Sequence, residues 1–148
     1  MPARHWLTNR VANPVLRRLL RSPAGRRLGR HLAVIRYTGA RTGQRRELVA
    51  GCARAGDAAW IWVGDAGSKR WWRNFLMPAP VELWLAGEHL PGRGVAVEGA
   101  ADPETCRQGV AAYVASVPTA SRAMRLKAPP ERLTSDDLRG VVMVRVDI

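Results

Sequence analysis

The residues best suited to chemistry in this sequence fall in two short segments. The first is Gly39-Ala40-Arg41-Thr42-Gly43-Gln44-Arg45-Arg46. Its glycines permit close backbone approach, with N–H groups available near Gly39 and Gly43. The Thr42 hydroxyl and the guanidinium groups of Arg41, Arg45 and Arg46 add donors, the latter charge-assisted. This set suits an anion, and it equally suits a solvated basic hairpin. The second segment is Gly64-Asp65-Ala66-Gly67-Ser68-Lys69-Arg70-Trp71-Trp72-Arg73-Asn74. A Gly67-Ser68-Lys69 step opening a helix can also receive an anion. Trp71 and Trp72 can lie against a flat ring or fill the mouth of a barrel. Tyr113 and Tyr37 are weak candidates for proton donation.

Other catalytic apparatus is missing from the pattern. There is no glycine-rich dinucleotide fingerprint and no Walker motif. His5, His31 and His89 are scattered, and Cys52 and Cys106 stand far apart, so no metal site is expected. Both cysteines read as small buried apolar residues. No Ser-His-Asp arrangement is recognisable. An enzyme with this inventory would rely on a bound cofactor for its reaction.

The charge is unevenly placed. The net charge is +12 over 148 residues. Residues 1–46 hold twelve arginines and no acid, so the whole excess lies there. Arginine suits bidentate contact with phosphate and carboxylate. An anionic cofactor, an anionic membrane surface or nucleic acid would each answer such a block, though no nucleic-acid motif accompanies it. The length fits one domain, and 47% hydrophobic residues exclude global disorder. With no secretory signal and no apolar run of spanning length, the expectation is a cytoplasmic protein, with peripheral contact to the inner face of the membrane through residues 1–30 as a further reading.

The elements that must position these residues follow from periodicity and punctuation. Residues 10–20 read as a helix, capped by Asn13 with Pro14 at its first position, either packed on a barrel or lying on a membrane. Residues 32–38, 46–53 and 58–63 read as three strands of an antiparallel meander. A short helix over 69–76, capped by Gly67 or Ser68, ends before Pro78. Residues 81–86 and 89–98 are strands joined at Gly87-Glu88, with Pro91 and Gly92 marking a bulge or an edge. Asp102-Pro103-Glu104 opens a helix with an apolar stripe of Cys106, Val110, Tyr113, Val114 and Val117. Residues 119–139 are mixed, and 141–146 form a last strand. The fold class is α+β, mainly β: an antiparallel sheet of about six strands with flanking helices, comprising a basic helical segment (1–30) and a strand-rich segment (31–148). Closure would remove the sheet's exposed edges.

On Gly39…Thr42-Gly43…Arg46, Gly67-Ser68-Lys69, Trp71-Trp72-Arg73-Asn74-Phe75 and Pro80-Val81-Glu82-Leu83, the chain resembles the deazaflavin (coenzyme F-420)-dependent nitroreductase and quinone-reductase family over roughly residues 30–100. The resemblance implies a split barrel akin to FMN-binding barrels and a coenzyme with a phosphodiester-linked polyglutamate tail. By that resemblance Arg41, Thr42, Gly43 and Arg45 are candidates to contact the tail, and Arg46 is a further cofactor-binding candidate. Gly67, Ser68, Lys69, Trp72 and Asn74 lie near the phosphate and ring. Ala40 departs from the family's basic residue, and residues 125–140 read as an added segment. The implied activity is hydride transfer from the reduced deazaflavin to a small planar electrophile, a quinone or nitroaromatic. Alternatives are a barrel binding FMN, a tetrapyrrole or a lipid-like ligand without this activity, or a basic membrane-surface or nucleic-acid-associated protein. A homodimer is also expected.

Overall fold

A computed structural model of the chain describes residues 13–23, 25–28 and 30–148. Six antiparallel strands form a closed barrel in the order β1-β2-β3-β6-β5-β4: β1 (Leu32–Thr38), β2 (Arg45–Ala55), β3 (Ala58–Val63), β4 (Ala79–Leu85), β5 (Glu88–Glu98) and β6 (Val142–Asp147). Helices α1 (Asn13–Arg21) and α2 (Gly25–Leu28) precede the barrel, and α3 (Pro103–Ser116) and α4 (Ala120–Ala123) lie between β5 and β6. The expected mainly-β split barrel with flanking helices is therefore the fold found. Residues 10–12 of the predicted first helix, and His5, lie outside the described residues.

Period-two alternation assigns the strands' two faces. Ala33, Ile35 and Tyr37 of β1, Ala59, Ile61 and Val63 of β3, and Val142, Val144 and Val146 of β6 fill the barrel interior with Cys52, Val81, Leu83, Leu85 and Leu90. Trp60, Val97 and Met143 face outward into a second cluster roofed by Cys106, Val110 and Tyr113 of α3. A Cβ on Gly109 would sit 2.5 Å from the Trp60 ring, so this helix seats on the sheet only with glycine there. Asp102 caps α3 by accepting from the Thr105 N–H at 3.1 Å, with Pro103 in the first turn. Within residues 125–140, Leu133 and Leu138 are buried in the second cluster.

The β4–β5 connection is a two-residue hairpin. Leu85 pairs with Glu88, and Ala86 (φ 53°) and Gly87 (φ 76°) both take left-handed conformations. The turn is thus Ala86-Gly87, one residue earlier than the expected Gly87-Glu88, because two positive φ values in succession match the twist of the flanking strands. The β4–β5 register is unbroken, so Pro91 and Gly92 form no bulge. They stand where β5 runs past β6, whose pairing begins at Arg93, so the missing Pro91 N–H faces an edge.

The segment between β3 and β4 corrects the sequence reading. In place of one helix over 69–76 there are two 3-10 turns, Ala66–Ser68 and Trp71–Phe75, with Lys69 extended between them. Asp65 is left-handed (φ 54°) and the Ser68 hydroxyl donates back to its carboxylate at 2.6 Å, which closes the first turn locally. Pro78 limits the second.

Candidate anion and cofactor site at the cationic end of the barrel

Both segments singled out by their chemistry meet at one end of the barrel. The β1–β2 connection leaves Thr38 paired with Arg45 and folds residues 39–44 into a tight loop. Within it the Gly39 N–H donates to the Gln44 carbonyl (2.8 Å) and the Gly43 N–H to the Gly39 carbonyl (2.9 Å). Gln44 N–H donates to the Thr42 hydroxyl at 3.3 Å, and Gly43 carries φ 70°. The N–H groups of Gly39 and Gly43 are thereby spent inside the turn, which corrects the expectation that they would cradle an anion. What the loop presents is side chains: Arg41, Arg45 and Arg46 are exposed.

Asn74 joins the two segments. Its Oδ1 accepts from the Ala40 N–H at 2.8 Å, and its Nδ2 donates to the Trp71 carbonyl at 2.8 Å. One amide thus latches the arginine loop to the second 3-10 turn. Trp72 is buried, and its indole N–H donates to the Ala66 carbonyl at 3.0 Å. The ring expected beside a cofactor is instead a strut between the two 3-10 turns, and an indole N–H inside a core needs such a partner. Phe75 closes this end of the barrel, its ring 2.9 Å from where a Cβ on Gly94 would lie. Trp71 is half-buried and packs with Tyr37 (ring centroids 6.5 Å apart).

Gly67, Ser68 and Lys69 are exposed on the same loop system. Without a helix of any length behind them, no helix dipole favours an anion there. The favourable charge comes from side chains. Among the described residues Arg41, Arg45, Arg46, Lys69 and Arg70 form no ion pair. Arg73 lies over the Trp72 ring, 5.5 Å from its centroid. The acid in these loops, Asp65, is engaged with Ser68.

Beside this end, β1 and β4 part after the Tyr37–Val81 pair and leave a groove of about 230 Å³. Arg36, Tyr37, Thr38, Arg45, Pro80, Val81, Glu82, Pro91 and Gly92 line it. Burial raises the Tyr37 phenol above its ordinary range, and the nearby Arg46 guanidinium pulls it partly back. It is therefore protonated at neutral pH and able to donate. Sequence reasoning missed Arg36, Thr38 and Glu82 as lining residues; the Pro91-Gly92 irregularity was the one local signal of a discontinuity here. A second cavity of about 210 Å³, among Met124, Arg125, Lys127, Leu133, Asp136 and Asp137, is less suited to an anion. Its acids are committed, Asp137 to the Thr134 N–H and Asp136 to Arg139.

Tyr113 is not at this end. It is buried under α3, and its hydroxyl would lie 2.1 Å from a Cβ on Gly51. Gly51 pairs with Leu32, six residues along β1 from Thr38 and so about 20 Å away. Burial again raises its phenol, with Cys52 adding to the effect. Its place in the α3 stripe made this the outcome periodicity favoured. Cys52 and Cys106 are buried, their thiols pushed up to about 12 and about 11 by desolvation. Among the described residues no group of three His, Cys, Asp or Glu side chains is placed to hold a metal ion.

Comparison with known proteins adds the fold's relatives. No family model matches the chain, and no curated protein matches it. Solved structures do. An F420-H2 dependent reductase (FDR-A) superposes with TM-score 0.55 at 16% identity, covering 79% of this chain and 94% of its own. A domain-swapped dimer matches with TM-score 0.55 at 16% identity, over 80% of this chain and 81% of its own. An FAD and heme binding protein from Mycobacterium smegmatis matches with TM-score 0.52 at 17% identity, over 91% of this chain and 65% of its own. The chain shares its split-barrel fold with these proteins.

Proposed function

We propose that the protein is an oxidoreductase that holds a reduced deazaflavin, coenzyme F-420, at the cationic end of the barrel and serves hydride transfer to a small planar electrophile such as a quinone or nitroaromatic. The observation that carries this reading is the Asn74 latch, which ties the loop bearing Arg41, Arg45 and Arg46 to the turn that follows Lys69, with Arg45 also lining the groove. The donor set fits the coenzyme's chemistry: exposed cations without internal partners suit a polyanionic tail. A groove of about 230 Å³ is below the roughly 300–1,000 Å³ of a complete ligand pocket, so it suits one part of a ring system. A fold shared with an F420-H2 dependent reductase adds support.

When bound, the reduced deazaflavin supplies the hydride. The chain's own residues supply position and charge. Arg41, Arg45 and Arg46 hold the tail, with the Thr42 hydroxyl and the Gly43 turn setting the loop's shape. Lys69, with Gly67 and Ser68, approaches the phosphate. Asn74 fixes the two segments relative to one another, and Trp72 supports them from below. Tyr37 lines the groove with its ring packed against Trp71 and Phe75. No protein nucleophile is required.

The test is a titration at physiological salt with coenzyme F-420 and with FMN, following tryptophan quenching. Micromolar binding of the deazaflavin is the expected result. Arg41→Ala with Arg45→Ala should weaken it by about 1–3 kcal/mol per charged hydrogen bond lost. Binding of neither coenzyme would sink the reading. A second reading, an FMN- or other ligand-binding barrel without this activity, is favoured by the shared fold with an FAD and heme binding protein; preference for FMN would establish it.

A further inference from the structure

Among the described residues, helix α1 is fixed to the barrel from one side. It lies against β1, β2 and β4. Leu20 is 1% exposed beneath it. Glu47 on β2 gathers three guanidinium groups: Arg21 at 3.0 Å, Arg36 at 2.9 Å and Arg17 at 3.6 Å. Arg21 and Arg36 also approach the Trp84 ring, 5.7 and 4.7 Å from its centroid. The outward side is different. Val15 is 64% and Leu19 40% exposed, and four-residue spacing sets them on one stripe. Arg18 is exposed on the same helix, as are Arg26 and Arg30 on the segment that follows. None of these three forms an ion pair among the described residues. Glu47 is the first acid in the sequence, and it is consumed by the anchor.

We propose that this outward face of α1 binds an anionic lipid surface, with the helix in the headgroup plane. Arg18 with Val15 and Leu19 on one face, in a stretch with no carboxylate before Glu47, complements phosphate headgroups above an acyl boundary. A nucleic-acid backbone would engage the arginines but leave Val15 and Leu19 without use. Because the barrel already holds the helix formed, binding does not have to nucleate it. This proposal is independent of the cofactor reading, which concerns the loops after β1 and β3.

The test is flotation of the full chain with vesicles of phosphatidylcholine alone and with about one-third phosphatidylglycerol, at ~0.15 M salt. The wild type should float with the anionic vesicles and not with the neutral ones. The double variant Val15→Ser/Leu19→Ser should lower partitioning about tenfold or more with an unchanged thermal midpoint, since both side chains are exposed in the folded protein. Arg18→Glu should act in the same direction. Three results would overturn the proposal: wild type left in the soluble fraction with anionic vesicles, the double variant floating as well as wild type, or duplex DNA bound more tightly than vesicles with no sensitivity to Val15→Ser/Leu19→Ser.

Discussion

The one oxygen and one nitrogen of a single side-chain amide decide how the candidate site is assembled. Asn74 accepts from Ala40 and donates to Trp71 across segments more than thirty residues apart in sequence. Its replacement by Ala removes both bonds and strands the Ala40 N–H at the loop. We expect Asn74→Ala to cost about 1–2 kcal/mol in stability, at roughly 0.5–1.5 kcal/mol per bond, and to speed amide exchange at Ala40 while leaving the barrel strands protected. Unchanged exchange at Ala40 would show that the latch does not hold the loop. The sequence marked Asn74 as a site residue through its Trp-x-x-Asn context, but its partner was illegible, because nothing local links it to Ala40. The Glu47 cluster was hidden for the same reason. Arg17, Arg21 and Arg36 converge on one carboxylate only through the β1–β2 register and the seating of α1.

Elements were far more legible where one face is buried. β1 and β3 occupy the ranges that alternation and β-branched content predict, since those signals are set by the core they face. The 66–75 segment defeated the helix rules because local side-chain bonding at Asp65 and Ser68 outcompeted helix propagation. The β4–β5 hairpin carries a testable cost. Ala86 holds a left-handed conformation that asparagine tolerates and alanine resists. Ala86→Asn should therefore stabilise the protein by about 0.5–1 kcal/mol, read as a rise in denaturant midpoint with unchanged slope. A fall in midpoint would mean that the Ala86 methyl, which packs on the barrel core, matters more than the backbone.

At the scale of the molecule, titration sets a stability window. Hydrogen bonds from Thr105 hold Asp102 below the ordinary carboxylate range, and those from Thr134 do so for Asp137. Their contribution is present above the unfolded value near pH 4 and is lost as pH falls below it. Burial raises Tyr37 and Tyr113, so their contribution is complete below the unfolded value near pH 10 and is lost as pH rises beyond it. Thermal midpoints should be flat from about pH 5 to 8 and fall on both sides, with the buried thiols of Cys52 and Cys106 opening the alkaline limb above their unfolded value of about 8.5 and Tyr113→Phe reducing its upper part. An alkaline limb unchanged by that substitution would remove Tyr113 from the account. The strand order has a consequence of another kind, for the time course of synthesis. β6 sits between β3 and β5, yet the ribosome makes it only after α3, α4 and the 130–132 turn. Until β6 emerges, β3 and β5 each offer a bare edge to the cell, and the barrel cannot shut around its own interior. The nascent chain is thus a sheet waiting for its keystone, and every contact across that seam forms at one late moment.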